Sequence, residues 1–404
     1  MEQSFLSEYG LVILFYLSVI LLIYFNRKKF YFEGKIIAMY RTKIGLKLMD
    51  KIGAKHPKTI KVLGTIGVWV GFIGMILMVY IVIYGLFLLV FRPEAPPMFS
   101  PVLPGVTIPG SPIKLPLLEG LISLFVVVVI HEFSHGVVAR AYGLPIKSSG
   151  FVMFGPLPGA FVEPDEKLLV KQSRKAQLSI FAAGPFSNVL LTIFVLMLII
   201  CFSSLTDAIY KPNGIIIDGF VNESDIQENG RLSVLSRGEI IYSVNGYETN
   251  LIFNLSDALN ESKPGDVIEL DTNKGIKQMT LTANPNNESQ PYIGIYLNNY
   301  MEPQNGVAKV IKPVYFWFTG NPYDINFNNR LGLLGWIMIL SVGIGLVNLL
   351  PLGPVDGGRM YLMALEKFFS KEVAKDVWSN TAKVLLLFVV ILILVPIVKA
   401  LFLG

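Results

Sequence analysis

The chain alternates long apolar runs with polar stretches, and the runs are too long for the strands or surface helices of a water-soluble protein. Residues 11–25, 63–91, 117–140, 177–203, 331–352 and 384–403 carry almost no charge. At about 20 residues per bilayer crossing they predict six transmembrane helices. Between the fourth and fifth runs the pattern changes to short β-rich segments at Gly214–Ile217, Glu239–Val244, Val267–Leu270 and Gln278–Leu281. These predict a soluble domain inserted between membrane helices. The chain thus divides into a transmembrane pair with a polar loop (1–92), a first transmembrane half (93–203), a soluble domain with linker (204–330) and a second transmembrane half (331–404).

Composition agrees with this reading and removes some alternatives. Of 404 residues 53% are hydrophobic, with a mean hydropathy of +0.57, which excludes a wholly water-soluble globule. The first apolar run has no basic flank before it and no small-residue cleavage site after it, so it reads as a retained helix. Cys201 is the single cysteine, which excludes an intramolecular disulfide and a Cys-cluster metal site.

The net charge of +5 acquires meaning once it is located. From Arg27 to Lys61 there are eleven Lys or Arg against only Glu33 and Asp50. The positive-inside rule makes this loop cytosolic and the N-terminus external. Counting crossings then puts 92–116 and the acidic insert outside, and the segments bearing Lys167, Lys171, Arg174, Lys175 and Lys367, Lys371, Lys375 inside. Ile36, Ile37, Met39, Tyr40, Ile44, Leu46 and Leu48 interrupt the charges of the first loop. They predict an amphipathic surface helix resting on anionic headgroups.

Two of the three histidines fall in His131-Glu132-Phe133-Ser134-His135, directly after the run Val126–Ile130. Residues four apart share one helix face, so both imidazoles reach one Zn²⁺ at about 2.0–2.1 Å while Glu132 borders the reacting water. Ionisable groups inside a bilayer are expensive and mark function, with a transporter's proton path as the competing reading. A catalytic zinc takes a third protein ligand and keeps one position open. His56 lies among lysines in the first loop, and Glu119 lies near the external start of its helix. Asp356, within Leu352-Gly353-Pro354-Val355-Asp356-Gly357-Gly358-Arg359, closes an outside-to-inside crossing at a depth comparable to that of His131, and is the expected ligand. Its Pro and Gly neighbours predict a broken helix, which membrane depth tolerates only where backbone lines a protein cavity.

The pairing of His131–His135 with Asn348-Leu349-Leu350-Pro351-Leu352-Gly353-Pro354-Val355-Asp356-Gly357-Gly358 resembles the site-2 protease family of intramembrane zinc metalloproteases. Gly184-Pro185-Phe186-Ser187-Asn188 and Gly159-Ala160-Phe161-Val162-Glu163-Pro164-Asp165-Glu166 extend the match over about 117–360. The resemblance implies an α-helical polytopic membrane protein whose three-helix core brings His131, His135 and Asp356 to one catalytic Zn²⁺, with Glu132 as general base. Asn188 matches a family position that holds the substrate backbone or polarises the scissile carbonyl, with an interhelical hydrogen bond as the alternative. Ser149–Val162 looks like the family's membrane-associated β-hairpin. Gly238-Glu239-Ile240-Ile241-Tyr242-Ser243-Val244-Asn245-Gly246, followed by Lys263-Pro264-Gly265-Asp266-Val267-Ile268, resembles a prokaryotic PDZ domain of α+β type. Peptide capture, a size filter and a regulatory gate stay open for it.

The expected activity is endopeptidase cleavage within or near transmembrane segments, in the plasma membrane of a prokaryote, with the active site toward the cytosol. Transmembrane proteins or peptides and membrane lipid are the expected partners, and nucleic acid is not. The alternative is a catalytically silent zinc-containing membrane protein whose external domain captures a partner.

Overall fold

The computed structural model describes residues 5–34, 37–155, 157–220, 234–259, 262–284, 287–321, 324, 327–353 and 355–402. Ile36 of the basic loop and Pro354 beside Asp356 fall outside them. Two compact units emerge, one of Met1–Leu196 with Trp336–Gly404 and one of Met197–Gly335.

In chain order the first unit begins with α1 (Phe5–Phe25), β1 (Tyr31–Glu33), β2 (Ile37–Thr42), α2 (Leu46–Lys55), α3 (Pro57–Phe91) and α4 (Leu117–Ala141). It continues with β3 (Ile146–Phe154), β4 (Leu157–Pro164), α5 (Glu166–Leu169) and the start of α6 (Arg174–Ile209). Among the described residues five helices are long and apolar enough to cross a membrane: Pro57–Phe91, Leu117–Ala141, Arg174–Ile209, Arg330–Val347 and Lys371–Phe402. The sixth expected crossing corresponds to Tyr9–Phe25, a shorter apolar helix.

Helix α3 shows how an apolar segment sorts its faces without a polar side to guide it. Pro57 opens it, where the missing N–H costs nothing. Gly64, Gly67, Gly71 and Gly74 are buried against Ser179, Phe186, Met360 and Leu349 in turn. Small residues let helix backbones approach closely, and that contact substitutes for the hydrophobic drive that is absent in lipid. Trp69, Ile73 and Ile76 stand exposed on the other side, as lipid-facing residues do.

Strands β1 to β4 form an antiparallel sheet in that order. Phe154 pairs with Leu157, and Gly155 leaves β3 at φ 59°, a left-handed conformation glycine adopts without strain. The surface helix expected from the first basic loop divides in two. Ile37–Thr42 is strand β2, paired with β3 from Ile37↔Phe154 to Thr42↔Ser149, and helix begins only at Leu46. A neighbouring strand edge satisfies this backbone, and Gly45 at φ 81° separates strand from helix.

The second unit contains the end of α6, β5 (Tyr210–Phe220), β6 (Ile240–Val244), β7 (Tyr247–Glu248), α7 (Ile252–Leu259), β8 (Val267–Thr272), β9 (Gly275–Thr280), β10 (Thr282–Asn284), β11 (Asn287–Tyr292), β12 (Ile295–Pro303) and α8 (Gly306–Thr319). Its main sheet runs β12-β5-β6-β8-β9, with β7 paired to β6. Asn245-Gly246, with φ 50° and 82°, closes the β6–β7 hairpin, as an Asn-Gly pair favours. Ile215, Ile217, Ile241, Val244, Ile268 and Leu270 alternate inward from three strands and, with Leu255 and Leu259 of α7, make the core. Helix α9 (Phe327–Val347) is interrupted at Gly332, φ 53°, and carries the chain back to the first unit. There α10 (Asp356–Leu365) and α11 (Lys371–Phe402) complete the chain.

Candidate metal centre

His131 and His135 occupy successive turns of α4, four residues apart on one face, with ring centroids 4.9 Å apart. Both are enclosed, with 6% and 11% of their side-chain surface exposed. Asp356 arrives from 225 residues away in sequence. Its Oδ2 lies 3.1 Å from Nε2 of His131 and 3.3 Å from Nε2 of His135. Zinc bonds of about 2.0–2.1 Å at tetrahedral angles separate ligand atoms by about 3.3 Å, and both distances from Asp356 Oδ2 to the imidazoles fit that spacing. One ligand atom each from His131, Glu132 and His135 also lies within 4.8 Å of the others.

The opposing wall is Gly184 on α6. A methyl added there would collide with Nε2 of both histidines. The glycine therefore keeps clear the point on which the two imidazoles converge, a cradle of the size an ion needs. A carbonyl only accepts hydrogen bonds, so the 2.6 Å contact of His135 Nδ1 with the Ile180 carbonyl places the proton on Nδ1 and turns the Nε2 lone pair inward.

The helix is broken before Asp356, as its Pro and Gly neighbours predict. Helix α9 stops at Val347, and Asp356 is the first residue of α10. The connection doubles back so tightly that a Cβ on Gly357 or Gly358 would strike the backbone of Leu349 or Leu352. Gly357 N–H donates to the Asn348 carbonyl at 2.7 Å, and Trp378 Nε1–H on α11 donates to the Gly358 carbonyl at 2.9 Å. Glycine permits the fold-back, and Trp378 pins the turn that presents the carboxylate.

The Glu132 carboxylate accepts a hydrogen bond from the Val162 N–H at 3.1 Å, so strand β4 fixes its direction. His56, the third histidine, stands at the N-terminal cap of α3. Asn188 is brought to the site, but on the protein side of it. Its side chain is fully buried, with Nδ2 3.3 Å from Nδ1 of His131, so it faces the back of that histidine. The roles of the Ile180 carbonyl, the Val162 N–H and Trp378 have no signature in sequence. Gly184 stood in the Gly184–Asn188 match with no role assigned.

Residues 119–392 match the family described as Peptidase family M50. The chain belongs to this family, the site-2 proteases. An uncharacterized protein of Methanocaldococcus jannaschii is 27% identical over 338 residues, covering 81% of this chain and 77% of that protein. The zinc metalloprotease RasP of Geobacillus kaustophilus is 23% identical over 225 residues, covering 48% of this chain and 51% of RasP. With its apolar helices and its His-Glu-His cluster, this M50 member is an integral membrane metalloendopeptidase that uses zinc.

Proposed function

We propose that the chain hydrolyses peptide bonds within or near transmembrane segments of other membrane proteins, with His131, His135 and Asp356 holding zinc and Glu132 as general base. The observation that carries this reading is the approach of one Asp356 oxygen to both imidazole Nε2 atoms, at 3.1 and 3.3 Å, among helices apolar enough to cross a bilayer. When bound, zinc supplies Lewis-acid polarisation of the scissile carbonyl and acidifies water at the site. Glu132 takes the proton of the attacking water and delivers it to the leaving amine, a contribution of roughly 10²–10⁴-fold. The Val162 N–H restrains the carboxylate during both transfers.

A transmembrane helix hides its peptide bonds in its own hydrogen bonds, so a substrate must be unwound before it is cut. Strand β4 is the edge of its sheet, and an extended segment can pair with such an edge. Because Val162 of that edge already holds Glu132, a strand added there lies beside the base. In this proposal the basic loop faces the cytosol of a prokaryotic cell. The antiparallel sheet of the second unit acts as a PDZ-like external domain that captures or filters substrates.

The test is cleavage of candidate single-span substrates by purified protein in liposomes, comparing the native chain with Glu132→Gln. The variant should retain zinc and lose cleavage by about 10²–10⁴-fold. Undiminished cleavage by Glu132→Gln would overturn the assignment.

A further inference from the structure

The two histidines are held from behind in different ways. Behind His135 is the Ile180 carbonyl, which can only accept. Behind His131 is the Asn188 amide, which can do either, and the atom 3.3 Å from Nδ1 is its Nδ2. The other end of that amide, Oδ1, is buried with no hydrogen-bond partner, which a folded protein seldom leaves uncorrected. Oxygen and nitrogen of an amide are nearly interchangeable in shape, so a half-turn about Cβ–Cγ exchanges them without moving another atom. After the half-turn Oδ1 accepts from His131 Nδ1–H, and the NH₂ takes the buried position that Oδ1 held.

The exchange decides what His131 can do. With the amide NH₂ toward Nδ1, that nitrogen must accept, the ring proton sits on Nε2, and Nε2 donates to Asp356 instead of binding a cation. With Oδ1 toward Nδ1, the proton sits on Nδ1 and the Nε2 lone pair is free. We infer that Asn188 is a positioning residue that sets the tautomer of His131 and so prepares it for zinc, and that it does not contact substrate. This rests on the metal reading above. The surroundings suit a fixed post. Thr192 and Ser341 both donate their hydroxyls to the Asn188 carbonyl at 2.9 Å. Gly345 packs so close that an added methyl would lie 3.0 Å from Asn188 Cβ.

The experiment measures zinc affinity of the full-length protein in detergent by competition with a chromogenic chelator, for the native chain, Asn188→Leu, Asn188→Asp and His131→Ala. Leucine removes the acceptor at similar volume and should weaken zinc binding about 10–100-fold, the usual cost of losing such a partner. Aspartate keeps an acceptor and should recover most of the zinc affinity that leucine loses. Native affinity in Asn188→Leu, with only KM for a peptide substrate raised, would overturn the inference in favour of substrate contact. Equal losses in the Leu and Asp variants would also overturn it. A native chain that binds zinc no better than His131→Ala would instead defeat the metal reading itself. Because the chain has three histidines, ¹⁵N-histidine NMR of the zinc-loaded native protein gives a readout independent of variant folding. A protonated Nδ1 on His131 is expected, and a zinc-bound Nδ1 with protonated Nε2 would overturn the assignment.

Discussion

Each unit of the molecule buries a carboxylate beside basic nitrogens, and the contrast between the two separates a structural ion pair from a binding site. In the second unit Glu239 is fully enclosed. Its Oε1 meets Lys277 Nζ at 2.6 Å and the Thr272 hydroxyl at 2.8 Å, while Oε2 accepts from the Ser236 N–H and hydroxyl at 3.0 and 2.9 Å. Every side of that carboxylate is used. In the first unit Oδ2 of Asp356 meets, among the described residues, two imidazoles, which are themselves potential ligands, and a side chain at Gly184 would enter the space between them. Saturation marks structure, whereas a carboxylate and two imidazoles around a kept space are the arrangement that the proposed metal site needs.

The most severe way to break this contrast is to fill the space. Gly184→Ala places a methyl where both Nε2 atoms converge, so the purified variant should lose nearly all bound zinc by elemental analysis, and cleavage with it. The bulk helices should still form, because alanine favours a helix over glycine by about 1 kcal/mol. Native zinc content in Gly184→Ala would mean that the ion lies elsewhere.

How much of this site was legible in the sequence follows from the range over which each signal acts. The His131–His135 spacing is local and helical, so periodicity alone placed both imidazoles on one face. Long apolar runs marked the helices, and the β-rich pattern marked segments that hold Ile215, Ile241 and Ile268, but their meeting in one core is a property of the fold. Asp356 was found as a carboxylate among apolar residues, but its place at the start of α10 depends on the fold-back over Gly357 and Gly358, which no local pattern encodes. Strand β2 was misread as helix because its partner β3 lies over a hundred residues on. The Ile180 carbonyl and the Val162 N–H are backbone groups, identical at every position, and only the folded chain distinguishes them.

The next largest effect should come from opening the saturated pair. Lys277→Met removes the closest cation from a carboxylate that stays buried, and breaking such pairs costs about 3–5 kcal/mol. Hydrogen exchange of β6 and β8 in the full-length protein should rise accordingly, while zinc content stays native, since the pair has no part in the metal centre. Zinc loss in Lys277→Met would erase the distinction between the two carboxylates. Acid offers the same test without mutation. Burial alone would raise the Glu239 pKa above its ordinary 4.5, but Lys277, Thr272 and Ser236 hold it down at about 2. A carboxyl lowered on folding contributes stability that is complete above its unfolded pKa and lost as pH falls through the folded one. Protection of β6 and β8 should therefore hold above about pH 4.5 and decline from there toward pH 2, and Lys277→Met should flatten that decline.

The smallest effect belongs to an ion pair exposed to solvent. Arg41 Nε on β2 meets Glu163 Oε2 on β4 at 3.1 Å, with 43% and 36% of the side chains exposed. The Ser148 hydroxyl donates to the same oxygen at 2.7 Å and, ahead of Arg41, holds the Glu163 pKa below its ordinary value. Exposed pairs contribute about 0.2–1 kcal/mol, and here the hydroxyl remains after the guanidinium is removed. Arg41→Ala should thus lower the melting temperature only slightly, by an amount that shrinks further in high salt, with native zinc content and cleavage. Glu163 is the residue next to Val162, whose N–H directs Glu132. A tenfold loss of cleavage at native zinc content would therefore show that the surface pair is transmitted along β4 to Glu132, and that exposure alone does not separate structural contacts from functional ones in this sheet.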